Sequence, residues 1–269
     1  MAAKQPAARP AAPLLPGVAA YRVSEEFFIV RYSSGRGIIP EIVAAAVVLF
    51  DIDGTLIRRA GPHHRKALEE AVRRAIGISV TTEGIPVQGM LDGDIVAAML
   101  ARAGATGPSV NRAVPRILRD AQLIYRQTAP RDLHAHVCPG ARALLRRLRR
   151  NDIPAGLVTG NLSAIAWRKM ESAGLRQYLR FGAFAEMGHT RAFLGGLALA
   201  QARRRGWIGR ETRLWLVGDH PNDIHAARAN SIRSIAVQTG LSSRAELAGH
   251  SPDLLLDDLR SLDCRSLLA

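Results

Sequence analysis

The feature that most constrains this chain is a recurring run that is apolar on both of its faces. AVVLFD (46–51), AGLVT (155–159), FGAFA (181–185), RLWLVGD (213–219) and SIAVQ (234–238) share this character, and DLLLDD (253–258) is a sixth candidate. A strand with one wet face alternates apolar and polar residues. A strand apolar on both faces must be covered on both, as in a parallel sheet packed between helices. Helical stretches separate the runs. PGARALLRRLRR carries Pro139 near its first helical position, and NLSAIAWRKMESAG closes on Gly174, a natural C′ residue. ALAQARRRG also closes on glycine, and NDIHAARAN opens on the capping residue Asn222. This alternation predicts an α/β fold, a doubly wound parallel sheet.

One interval breaks the pattern. Between Arg58 and Val137 only helical periodicity is found. HHRKALEEAVRRAIG sets Ala67, Leu68, Ala71, Val72, Ala75 and Ile76 on one face. DIVAAMLARAG and RILRDAQLIYRQT follow across loops such as GATGPS. Residues 60–136 are therefore expected to form an all-helical cap, inserted after the first strand and standing over the carboxyl edge of the sheet, where ligands bind in such folds. The catalytic core would then comprise 43–59 and 137–269. Residues 1–42 lack sustained periodicity and read as a flexible extension in which EEFFIV alone suggests a short strand.

Composition excludes several classes. No apolar run approaches the roughly 18–20 residues that span a bilayer, so no membrane partner is expected. Pro13 and Pro16 interrupt the only apolar patch near the start, which is too short for a secretory h-region, and the expected location is cytoplasmic. Cys138 and Cys264 lie far apart and form no metal-ligand spacing, which suits thiols in a reducing compartment. The net charge of +14 invites a nucleic-acid reading. Yet RRLRR (146–150) and RRR (203–205) lie on helical stretches with leucine or alanine opposite, as solvated faces do, and aromatics are only 5% of the chain. Nucleic acid is not the expected partner.

The ends of the apolar runs carry the chemistry. The first delivers Asp51 and Asp53, with Gly54 next; the second delivers Thr159, Gly160 and Asn161; the fourth delivers Gly218, Asp219 and then Asp223. Strands of a parallel sheet bring these to one rim, and four carboxylates gathered there repel one another unless a cation intervenes. A hard, oxygen-liking ion such as Mg²⁺ fits, and it implies a phosphate-bearing substrate. A calcium-binding EF-hand loop fails as an alternative: it needs glycine at position six and glutamate at twelve, where counting from Asp51 gives glycine at four and Pro62 at twelve.

D-I-D-G-T after the first strand, T-G-N after the second and G-D-x-x-x-D after the fourth together resemble the haloacid dehalogenase-like superfamily across roughly residues 43–260. The likeness is greatest to its phosphoglycolate-phosphatase-like branch with a helical cap. The resemblance implies that Asp51 is a nucleophile and Asp53 an acid and base. It assigns Mg²⁺ to Asp51, the backbone carbonyl of Asp53, Asp219 and Asp223. Thr159 and the N–H groups of Gly160 and Asn161, at a helix start, would hold the phosphoryl oxygens, and Gly54 would let phosphate approach the backbone. Dehalogenases of this kind lack the second aspartate, so Asp53 favours phosphate esters. The family's third motif is a lysine or arginine; AEMGHTRAFLGG has no lysine, and Arg191 is its candidate.

His220 follows Asp219 where a small hydroxyl residue is usual, and an outward-facing loop histidine is expected. His63 and His64 are expected to be solvated at the cap boundary, His134 and His136 lack a third metal ligand, and Met90, Met99 and Trp167 read as packing residues. The expected activity is a Mg²⁺-dependent phosphatase acting on a small phosphorylated metabolite. The alternatives are a sugar phosphomutase, a nucleotidase, or a phosphate-binding module without turnover. Oligomeric state is left open.

Overall fold

A computed structural model of the chain describes residues 18–23, 26–31 and 43–268. Strands β1 (Val18–Val23) and β2 (Glu26–Arg31) form an antiparallel hairpin in which Val18 faces Arg31 and Val23 faces Glu26. β2 overlaps the EEFFIV stretch. The remainder of 1–42, and with it the expected flexibility, lies outside the described residues.

The apolar runs form one six-stranded parallel sheet. Its strands are β3 (Ala46–Phe50), β4 (Ala155–Val158), β5 (Phe181–Ala183), β6 (Arg213–Gly218), β7 (Arg233–Val237) and β8 (Leu254–Leu256), in the order β5-β4-β3-β6-β7-β8. β3 is interior, with Val48 opposite Ala155 on one side and Trp215 on the other. Its residues are buried throughout, and the two-residue period of a strand divides them between two cores. Val47 and Leu49 join one core; Ala46, Val48 and Phe50 join the other.

The second core is closed by α4 (Ala141–Arg150) and α5 (Ser163–Ser172). α4 buries Ala141, Leu144, Leu145 and Leu148 and leaves Arg146, Arg149 and Arg150 exposed, so its arginines form a solvated face. α6 (Arg191–Arg204) packs in the first core through Leu194, Ala198 and Leu199. The short helices α7 (Pro221–Ala229), α8 (Arg244–Gly249) and α9 (Cys264–Leu268) complete the layers. Among the described residues, no helix is long and apolar enough to cross a membrane.

After β3 the chain leaves at Arg58 for three helices, α1 (His63–Ile76), α2 (Asp92–Arg102) and α3 (Pro108–Thr128), and returns at Val137. α1 turns its buried Ala67, Leu68, Ala71 and Val72 toward α3, and left-handed Gly77 (φ 75°) ends it. The two chain crossings are tied together by a bridge between Ile57 and Val137 and by the Arg58 N–H donating to His136 O at 2.9 Å. Ile117, Ala121 and Met99 of this insertion belong to the same apolar cluster as Val47 and Leu49, so insertion and sheet share a core.

Leu145→Ala would open a cavity between α4 and the sheet. It should cost about 2–5 kcal/mol, read as a lower urea midpoint at unchanged slope.

Candidate active site

The carboxyl edge of the sheet gathers the expected residues. Asp51 follows β3, Thr159 follows β4 and Asp219 follows β6; Asp223 lies in the first turn of α7. Oxygens of Asp51, Asp219 and Asp223 all lie within 4.8 Å of one another, and all three residues are buried. The Asp53 carboxylate does not join them. It points instead to Asn161 Nδ2 at 2.9 Å and Lys169 Nζ at 2.5 Å. Two aspartates two residues apart thus occupy different electrostatic surroundings.

The cluster carries the marks of crowded like charges. Burial, with Asp51 and Asp223 beside it, pushes the Asp219 carboxyl well above the usual range. Burial also raises Asp223, to about 7, against the pull of Arg191. Arg191 is the internal counterion. It begins α6, where Thr190 caps the helix by accepting from the Phe193 N–H, and its guanidinium runs inward. Nη1 donates to Asp51 Oδ1 at 2.7 Å and to Val158 O at 3.2 Å, and it lies 3.1 Å from Asp223 Oδ1. Burial alone would lower the Arg191 pKa, but Asp51 and Asp223 raise it, so the guanidinium stays charged.

Two buried atoms here have no hydrogen-bond partner, Asp223 Oδ1 and Arg191 Nε. An orphaned carboxylate oxygen beside two other carboxylates is what a hard divalent cation would satisfy, and the donor set is all oxygen. The residues fit Mg²⁺.

Some expectations need correction. A Cβ on Gly54, which adopts φ 91°, would strike the Asp219 carboxylate, so the missing side chain makes room for that aspartate. Thr55 Oγ1 holds that carboxylate from the other side, donating to Oδ1 at 3.0 Å. The Asn161 N–H donates weakly to Thr159 Oγ1 at 3.3 Å, and α5 starts only at Ser163. The first amides of that helix are taken: Leu162 N–H by Asp92, Ser163 N–H by Glu186 and Ala164 N–H by Gln122.

His220 does not face outward. It is half-buried, its Nδ1 caps α7 by accepting from the Asn222 N–H, and its ring lies against Gly89 of the insertion. Desolvation and Arg191 lower its pKa. His64 is not solvated either; it bonds Lys169 and Asp92.

Lys169 is a residue beside Asp53 that sequence reasoning missed. It is 2% exposed and donates to Asp53, to Asn161 Oδ1 at 2.6 Å and toward His64 Nδ1 at 3.2 Å. Burial would raise the Asp53 pKa, but Lys169, His64 and Asn161 bring it below the usual value. The Asp53 side chain is still 46% exposed, so solvent screens this pair. The signal was available. Lys169 falls on the same helical face as Ile165, Ala166 and Met170, and it is one of only three lysines among 37 basic residues, the others being Lys4 and Lys66.

With sheet, insertion and acidic cluster in place, the comparisons agree. The family model for haloacid dehalogenase-like hydrolases matches residues 48–228, and the chain belongs to that family. Within it, the chain is 26% identical to phosphoglycolate phosphatase 1 of Pseudomonas aeruginosa over 232 residues, covering 80% of this chain and 78% of that one. Two solved structures share the fold. A predicted phosphoglycolate phosphatase of Haemophilus somnus superposes with TM-score 0.58 at 15% identity, over 80% of this chain and 94% of that one. A β-phosphoglucomutase of Clostridium difficile superposes with TM-score 0.60 at 16% identity, over 82% and 94%.

Asp219 and Asp223 bind protons more tightly folded than unfolded, so metal-free stability should fall as pH rises from about 4 toward 7. The melting temperature in chelator should be lower at pH 8 than at pH 5.5, and Mg²⁺ should close the gap. Asp223→Asn should raise the metal-free value at pH 8 by roughly 2–4 °C and abolish the Mg²⁺ response, both read by differential scanning calorimetry.

Proposed function

We propose that this chain is a Mg²⁺-dependent phosphatase of the cytoplasm that hydrolyses a small, phosphoglycolate-like phosphate monoester through a phosphorylated Asp51. The observation that carries the assignment is the divergence of Asp51 and Asp53. One sits in the carboxylate cluster under Arg191; the other is held by Lys169 and Asn161 where it reaches solvent. Paired carboxylates with separated surroundings divide the labour of nucleophile and acid.

Asp51, Asp219, Asp223 and the carbonyl of Asp53 would hold Mg²⁺, which when bound offsets charge on the phosphate. Arg191 orients the Asp51 carboxylate through Oδ1 and brings a positive charge to the point where the phosphoryl group would bind. The Asp51 carboxylate attacks phosphorus as the bond to the leaving oxygen breaks. Asp53 must first take up a proton from solvent at its exposed edge, because Lys169 favours its ionised form, and it passes that proton to the leaving oxygen. Water then attacks the phosphorylated Asp51. Asp53 takes its proton, the bond from phosphorus to the aspartyl oxygen breaks, and phosphate departs with Asp51 restored. Thr159 and the Gly160 and Asn161 amides would serve the phosphoryl oxygens, the Asn161 N–H giving up its 3.3 Å bond to Thr159 Oγ1 to do so. The helical insertion acts as a cap that chooses the leaving group and limits water.

Phosphate release from a panel of phosphorylated metabolites with Mg²⁺ tests the assignment. Asp51→Asn should lower the rate at least about 10³-fold with an unchanged melting profile. Equal release by wild type and Asp51→Asn would remove the enzyme assignment. A phosphomutase, the activity named for one structural neighbour, would instead interconvert glucose phosphates without releasing phosphate.

A further inference from the structure

Lys169 lies at the centre of a chain of buried polar groups. An ammonium has three protons and no lone pair, and here each proton has an acceptor: Asp53 Oδ2 at 2.5 Å, Asn161 Oδ1 at 2.6 Å and His64 Nδ1 at 3.2 Å. Because His64 Nδ1 must accept, the imidazole proton sits on Nε2, which donates to Asp92 Oδ2 at 3.0 Å. The tautomer is thus set by its partners. Tyr125 of α3 braces the His64 ring edge-on at 5.9 Å between centroids.

Asp92 is the far end of this chain and the point where the insertion meets the core. Its Oδ2 also accepts from the Leu162 N–H at 2.8 Å, at the cap of α5, and its own N–H donates to Gly160 O at 2.8 Å. The residue is 1% exposed, and a carboxylate at a helix N-terminus is favourably placed. Removing it would leave the Leu162 N–H and His64 Nε2 without partners and with little access to water. His64 and Asp92 both belong to the insertion; Lys169, Leu162 and Asp53 belong to the core. The chain of bonds is therefore complete only while the insertion is seated.

We propose that Asp92 and His64 are positioning residues which, through Lys169, hold the Asp53 carboxylate toward the leaving oxygen, so that seating the insertion on α5 is what sets the acid in place. This rests on the phosphatase function proposed above. Mere adhesion between insertion and core would call for the Asp92 contacts alone. It would not require a buried lysine whose remaining bond ends on a carboxylate open to the cleft.

The test separates leaving groups. A p-nitrophenolate departs without a proton, whereas the alkoxide of phosphoglycolate needs one. With Mg²⁺ present, Asp92→Ala, His64→Ala and Lys169→Met should lower the first-turnover rate of glycolate release from phosphoglycolate by about 10–100-fold, read by rapid quench. They should leave the first-turnover burst of p-nitrophenolate within roughly threefold, because Asp53 enters that substrate's reaction only in the later hydrolysis, which both substrates share. Asp92→Asn, which preserves shape, guards against simple misfolding and should show the same split in milder form. Amide hydrogen exchange at Leu162 reads the seating separately. It should accelerate in Asp92→Ala and stay slow in Lys169→Met.

Equal losses of first-turnover rate on both substrates, or none, would overturn the link to Asp53. Unchanged Leu162 exchange in Asp92→Ala would overturn the seating. A wild-type chain that hydrolyses neither substrate would remove the phosphatase function and the link together, and Leu162 exchange would then decide the seating alone.

Discussion

Three carboxylates buried within 4.8 Å of one another set the terms for everything around them. Such an arrangement costs stability wherever it stands, because desolvation and mutual repulsion act in the same direction. The fold offsets part of that cost with one guanidinium, Arg191, although Asp223 Oδ1, 3.1 Å from it, and Arg191 Nε make no hydrogen bond. The parallel sheet makes the crowding possible. β3 and β6 are neighbours in register, so Asp51 and Asp219 leave the same edge side by side. Repulsion that would disperse surface carboxylates is overcome here by cores on both faces of the sheet.

A second polar assembly stands beside the first and obeys different rules. Around Lys169 every proton is matched, and the groups alternate in character: carboxylate, ammonium, imidazole, carboxylate. Fully matched buried networks are rigid, whereas the carboxylate cluster holds like charges together against their repulsion. Asp51 and Asp53 thereby stand in two neighbouring sites of different character.

The sheet was legible because burial on both faces leaves an unmistakable composition in each strand, and even the short β8 showed in DLLLDD. The cluster residues were legible for a related reason: an aspartate at the end of such a run has only the sheet rim to occupy. Lys169 was hidden because a lysine beside an arginine in a helix usually marks a wet face, and recognising it meant following the face of Ile165 and Met170 instead. Asp92 and His64 were beyond reach for another reason. Their partners Leu162 and Lys169 lie 70 and 105 residues away, and no local pattern reports how an inserted helical unit settles on a sheet. His220 was misjudged because the Gly89 loop that covers it belongs to that same insertion.

The carboxylates also owe their positions to side chains that are missing. A Cβ on Gly54 or on Gly240 would drive into Asp219, and one on Gly218 would drive into Asp223. Part of the wall of the acidic cluster is therefore made of hydrogen atoms, at positions with no chemical role of their own. Alanine is the smallest available change, and even that intrudes. Sequence drift that can spread across the arginine-rich helices meets a barrier at these glycines, so the boundary of what evolution can alter extends beyond the residues that handle the substrate to those that make room for them.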